Sequence, residues 1–316
     1  MLLNQDEIKD RIPHRFENLL LDEVEVLTDE TQTSGNLSLT LSENDPLGRD
    51  IFLKEKQPNK KTVLVSTSME ILALASIVCS GKLEPNHSVF FAGISNFKKF
   101  RDIPANEKIK GHVVKTGDKG GFLKFSGELK NENGDLLTSG EMMAIFMETP
   151  KETQKSEKKK DTPPKETMNE DALKGIAFKS PMMVIADQFV DFSTDPLSCT
   201  CKYTYPKEHP FIKGHFPTNP IMMGIMQWMA IEDACLALAH RLPQEGPFSL
   251  SGNATILKKD GTYVAELKGF EVAILKDANP KYSQSELTAT KKISFKDFVN
   301  PGETLYIQLK NIQIIS

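Results

Sequence analysis

The chain has 316 residues, 39% of them hydrophobic and 26% charged, a balance typical of globular domains that excludes a disordered, collagen-like or disulfide-scaffold protein. Lys and Arg number 39 against 43 Asp and Glu, a net charge of -4, so no overall basic field points to nucleic acid or an anionic membrane as partner. The length suits about two domains of roughly 100–200 residues each.

In chain order, the N-terminus turns acidic after Met1-Leu2-Leu3 and has no apolar core, so a secretory leader is not expected. The segment Ile12–Asp22 contains His14, expected to pack or cap at the start of the domain. A strand is predicted over Asn36–Leu41. The run Val63–Cys79 is the most apolar of the chain, but Ser66, Thr67, Ser68 and Glu70 interrupt it, which favours a buried helix over a membrane span. Its spacing predicts a helix over Thr62–Cys79, stopped by Ser80-Gly81. Strands follow at Phe90–Phe97, Lys108–Lys115, Phe122–Leu129 and Leu136–Phe146, with Asn133-Gly134-Asp135 as a hairpin turn.

Residues 151–170 hold six Lys, five Asp or Glu and two adjacent prolines, with no aromatic residue, Ile, Leu or Val. Such a stretch cannot bury enough apolar surface to offset its ordering entropy. A flexible charged linker is therefore expected over 151–171, between an N-terminal domain at 1–150 and a C-terminal domain at 172–316. The second domain repeats the pattern: strands at Cys199–Tyr205, Ala254–Lys258, Tyr263–Ile274, Glu286–Ile293 and Leu305–Ile315, a turn at Lys259-Asp260-Gly261, and a helix over Met222–Arg241 ended by Leu242-Pro243. One apolar helix beside five or six antiparallel strands, occurring twice, is an α+β layout built from two copies of one unit. The four cysteines lack zinc-ligand spacing, with Cys199 and Cys201 reading as a strand pair. Free thiols, no metal, no cofactor and a reducing cytoplasm are the expectation.

Glu208-His209-Pro210-Phe211-Ile212-Lys213-Gly214-His215-Phe216-Pro217, with Pro220, Gly224 and a helix after it, closely resembles the signature of the 3-hydroxyacyl-acyl carrier protein dehydratases of bacterial fatty acid synthesis. Ile12–Asp22 resembles the N-terminal segment of that family, and Phe91–Phe100 its first strand after the helix. The resemblance implies a double hotdog: two antiparallel sheets, each wrapped around one long central helix. It also implies sites that take a histidine from one hotdog and an acid from the other. His215 occupies the histidine position of the second copy, whose acid position holds Met229. In the first copy Asn44–Phe52 parallels the motif with Ile51 at the histidine position, and Glu70 stands at the acid position. His215 and Glu70 are thus expected to form one complete site, with Ile51 and Met229 in an inert one.

Dehydration of a 3-hydroxyacyl thioester needs a base for the C2 proton and an acid for the C3 hydroxyl. Imidazole suits the first role, and a desolvated carboxyl, with its pKa raised, the second. The resemblance assigns Gly224 to the thioester oxyanion, and Phe216, Pro220 and Met223 to the acyl tunnel. It implies a substrate carried by acyl carrier protein or coenzyme A, docked near Lys98, Lys99, Arg101, Lys213, Lys291, Lys292 and Lys296, with no nucleic acid and no membrane involved. Chain length, isomerase activity and further oligomerisation of the fused pair are left open. A hotdog thioesterase using Glu70 to activate water, and a noncatalytic acyl-carrier binding module, stand as alternatives. The sequence departs from the family at Met223, where proline is usual, and at Leu74, where glutamine follows the acid by one turn. Asp233 is a second acid on the second helix. Segments of the second domain also match those of the first in a different order, which means either permuted strands or an early end.

Overall fold

A computed structural model of the chain describes residues 1–29, 32–81, 87–148, 160–175, 178–217 and 219–315. They divide into two compact units. The first comprises Met1–Ser156 and Lys213–Pro220, and the second Glu157–Ile212 and Ile221–Ser316.

The first unit contains β1 (Leu2–Leu3), α1 (Gln5–Lys9), β2 (Glu23–Thr28), β3 (Thr33–Thr40), a hairpin of β4 (Leu53–Gln57) and β5 (Lys60–Val63), α2 (Val65–Cys79), β6 (His87–Lys99), β7 (Lys108–Lys119), β8 (Phe122–Asn131) and β9 (Leu136–Glu148). Its antiparallel sheet runs β1-β2-β3-β7-β8-β9-β6. Helix α2 lies against β2, β3, β7, β8 and β9, and all of its residues are buried. A helix buried on every side, even at Ser66, Thr67, Ser68 and Glu70, belongs to a core, and burying a side chain such as Leu72 contributes roughly 1.5–3 kcal/mol. The helix starts three residues later than its spacing predicts, because Lys60–Val63 pairs with Leu53–Gln57 instead. The expected turn holds: Gly134 has φ +86° and donates to Asn131 O at 3.1 Å.

The second unit contains β10 (Glu170–Asp171), β11 (Gln188–Thr194), β12 (Leu197–Thr204), α3 (Gly224–Ala239), β13 (Gly246–Lys258), β14 (Tyr263–Lys276), β15 (Gln284–Phe295) and β16 (Thr304–Ile315). Its sheet runs β15-β14-β13-β16-β12-β11-β10. Set beside the first unit, β11, β12, β16, β13, β14 and β15 take the positions of β2, β3, β7, β8, β9 and β6. The strands are permuted. The hairpin that closes the first unit's segment, β8–β9, has its counterpart directly after the helix as β13–β14, and the pair matching β6–β7 comes last. The exchange is sterically simple because β9 and β6 are antiparallel neighbours, so a short connection such as that between β14 and β15 can join them.

Of the expected linker, 151–159 lie outside the described residues. Residues 160–171 run along the second unit. Lys160 bridges to Thr262 and pairs with Asp260 at 2.6 Å, while Glu166 accepts from the Tyr306 hydroxyl at 2.6 Å and pairs with Lys202 at 2.9 Å. The charges that marked this stretch as solvated here find partners.

The second unit also buries an ion pair. Lys179 Nζ lies 2.6 Å from Asp233 Oδ1, and the Ile185 amide donates to Oδ2 at 2.6 Å. Burial pushes the Asp233 carboxyl up, and Lys179 and the amide pull it back. With both oxygens engaged, Asp233 is an anchor between α3 and the segment before β11, which removes it as a second acid. Cys199, Cys201 and Cys235 are free and buried, as is Cys79 in the first unit. Among the described residues no helix is long and apolar enough to cross a membrane.

Candidate active site

Three buried titratable side chains converge in the first unit. Glu70 sits in the second turn of α2, His14 on the segment between α1 and β2, and His215 on the segment Lys213–Pro220 that joins this unit from far along the chain. One ligating atom of each lies within 4.8 Å of the others. His215 and Glu70, expected to act together, are therefore side by side. His14, expected only to pack or cap, is the residue that sequence reasoning missed: its Nε2 stands 3.8 Å from Glu70 Oε1, and its ring meets that of His215 edge-on at 5.1 Å.

Backbone contacts hold the His215 segment in place. The Arg15 amide donates to Gly214 O at 3.2 Å, and the Arg15 guanidinium donates to the carbonyls of Lys9, Ile12 and His14. A Cβ at Gly214 would lie 2.2 Å from Asn18 Nδ2 and 2.4 Å from Arg15 O, so only glycine permits this approach. The His215-Phe216 peptide is cis. The Phe216 ring stacks on His215 with centroids 4.2 Å apart and meets His14 edge-on at 5.0 Å. Pro220 closes the same segment. Met223 and Gly224 belong to the second unit: Met223 is buried at the N-cap of α3 and Gly224 is its first residue, where a Cβ would come 3.1 Å from the Phe295 ring. In the first copy of the motif Ile51 is half-buried, while Arg49 beside it is buried against Asp45 at 2.9 Å and Asp22 at 2.8 Å. Met229 is fully buried in α3. Neither Ile51 nor Met229 can carry a proton.

Desolvation sets the electrostatics. It raises the Glu70 carboxyl to about 7, and the neighbouring Leu74, also buried, offers no hydrogen bond to hold the anion. Burial, helped by His215 and Arg15, holds the His14 imidazole well below its ordinary value. The site thus contains a neutral imidazole and a carboxyl that keeps its proton near neutrality. Between the ordinary carboxyl value of 4.5 and about 7, the native state keeps a proton that the unfolded chain releases. This contribution to stability is full below the lower value and is lost as pH rises to the upper one. Relative to Glu70→Gln, the native chain is expected to lose on the order of 3 kcal/mol of stability between pH 4 and pH 8, read as the difference in urea midpoints. A difference constant across that range would place the carboxyl in water.

No family model matches the chain. Among curated proteins, it is 28% identical over 149 residues to the 3-hydroxyacyl-acyl-carrier-protein dehydratase FabZ of Aeromonas hydrophila, covering 46% of this chain and 95% of that one. It is 27% identical over 141 residues to the FabZ of Agrobacterium fabrum, covering 45% and 88%. Both curated relatives are 3-hydroxyacyl-acyl carrier protein dehydratases, matched over less than half of this chain. The chain is also similar in backbone to the dehydratase domain from the CurK module of curacin polyketide synthase, with 12% identity, TM-score 0.46, and 87% and 97% of the two chains covered. The dehydratase domain of RzxB from Pseudomonas fluorescens gives 9% identity and TM-score 0.45 over 90% and 99%. Both likenesses are too loose to argue from.

Proposed function

We propose that this chain dehydrates 3-hydroxyacyl thioesters to trans-2-enoyl thioesters, as a hydro-lyase of fatty acid or related lipid synthesis, with one His215/Glu70 site per chain. The observation that carries the reading is the burial of His215 beside a carboxyl that keeps its proton near pH 7. In this mechanism His215 takes the C2 proton. Protonated Glu70 gives its proton to the C3 hydroxyl, which leaves as water, and the electron pair of the broken C2–H bond forms the double bond. His14 keeps the Glu70 environment dry, and its neutral ring adds no cation that would draw the carboxyl proton off. Phe216 and Pro220, on the same segment as His215, are assigned to the acyl chain. Each unit is read as one sheet wrapped around its helix, the double hotdog arrangement.

The carrier in this reading is acyl carrier protein or coenzyme A in the cytoplasm. Lys213, exposed two residues before His215, is the cation best suited to its phosphate or acidic surface. Lys99 and Arg101, also expected there, pair with Asp102 and Glu107.

The test is the product formed from 3-hydroxyacyl pantetheine thioesters of several chain lengths. Enoyl thioester is the expected result; free thiol would mean hydrolysis, and no reaction would leave a binding module. Gly214→Ala gives a second check. By pushing the His215 segment off Asn18 and Arg15, it should lower turnover about 100-fold while the circular dichroism spectrum is unchanged. Unchanged turnover would show that the segment's seat does not position the base.

A further inference from the structure

The same three side chains form a donor set that proton transfer alone does not require. We propose that His14, Glu70 and His215 bind one transition-metal ion of the zinc or cobalt class, and that the bound ion blocks dehydration.

Two imidazoles and one carboxylate are a common protein ligand set for such ions, with the remaining coordination positions left open. The donors come from three separate segments of the first unit, all are buried, and their ligating atoms lie within 4.8 Å of one another. Ligands of one tetrahedral zinc, bound at about 2.0–2.1 Å, stand roughly 3.3 Å apart. His14 Nε2 and Glu70 Oε1, at 3.8 Å, need to close by only a fraction of an ångström. At that separation they do not hydrogen-bond each other, so no direct bond between them has to be broken. His14 Nδ1 is buried without a hydrogen-bond partner among the described residues. A metal would occupy the space between His215 and Glu70 that the C2–C3 bond of the substrate needs, and it would take up the lone pair of the base. The binding claim stands on geometry alone; the inhibition claim rests on the proposed dehydration.

The test is a titration of the full, chelator-stripped chain with Co²⁺, followed by its visible absorption, with no substrate present. One equivalent should bring up the bands of a four- or five-coordinate ion. His14→Gln and Glu70→Gln should each weaken binding at least tenfold, and His112→Ala, at a half-buried histidine of β7 outside the site, should leave it unchanged. Absence of bands at tenfold excess, or bands that persist in both His14→Gln and Glu70→Gln, would overturn the site. Stripped chain that forms enoyl product until one equivalent of Zn²⁺ is added supports the inhibition. Cobalt bands in a chain that forms no enoyl product would leave the metal site standing and remove the functional reading. Enoyl formation that persists with the metal bound would overturn the inhibition alone.

Discussion

Replacing His215 by alanine is expected to lower kcat/KM for a 3-hydroxyacyl thioester by about 10²–10⁴-fold, the usual contribution of a positioned acid or base. Glu70→Gln should do the same, since glutamine keeps the shape of the carboxyl but has no proton to give. Because both groups serve one elimination, the two losses should not multiply, and the double variant should fall within about tenfold of the worse single one. Both variants should fold. The seat of the His215 segment is made by backbone atoms, and glutamine in place of Glu70 relieves the helix of an ionisable group in a buried position. Near-native turnover in Glu70→Gln would remove the acid from the mechanism, and Asp233 could not replace it, because Lys179 and the Ile185 amide hold both of its oxygens.

The second large effect is on stability. Lys179→Met leaves the Asp233 carboxyl buried without its cation, and breaking such a pair from one side costs about 3–5 kcal/mol. Removing both charges, as in Lys179→Met with Asp233→Leu, should recover most of that loss, because the desolvation penalty disappears together with the attraction. Urea unfolding followed by tryptophan fluorescence reads both, since Trp228 is buried in α3, the same helix as Asp233. A single variant within about 1 kcal/mol of the native chain would show that water reaches the pair.

Much of the secondary structure was legible from period and turn chemistry. Both long helices lie within about three residues of their expected limits, and all ten expected strands are present, because runs such as Phe122–Leu129 and Tyr263–Ile274 alternate or stay apolar between clear turn signals. The alternation of Glu23-Val24-Glu25-Val26 carries the same period-two signal, and Val24 and Val26 are buried as β2. The hairpin of β4 and β5 was hidden by its lysines: only Leu53 and Val63 mark its buried end, where Lys54 and Thr62 are buried as well, and its other end is exposed and paired through backbone. The pair His215 and Glu70 was legible because a dense motif marks the first residue and an apolar helix isolates the second. His14 was not, since 56 residues separate it from Glu70 and 201 from His215, and no spacing rule links residues that only tertiary folding brings together. The pairing of charges along 160–171 was not legible for a similar reason: composition shows that a segment lacks a core of its own, as its mostly exposed residues confirm, not that another surface will pair its charges.

The permuted strands of the second unit bear on the order in which the chain can fold as it is made. In the first unit the interior strand β7 leaves the ribosome before β8 and β9, and every strand that flanks it is present by residue 148. In the second unit the corresponding place between β12 and β13 is filled by β16, Thr304–Ile315. Until those residues emerge, β12 and β13 each present an open edge of unpaired N–H and C=O groups, an invitation to strand pairing between nascent chains. More than a third of the sequence, from Gln188 of β11 to Thr304, must be synthesised before that gap closes, and a chain cut short within β16 forfeits the middle of a sheet where one cut within β9 would forfeit a strand nearer its edge.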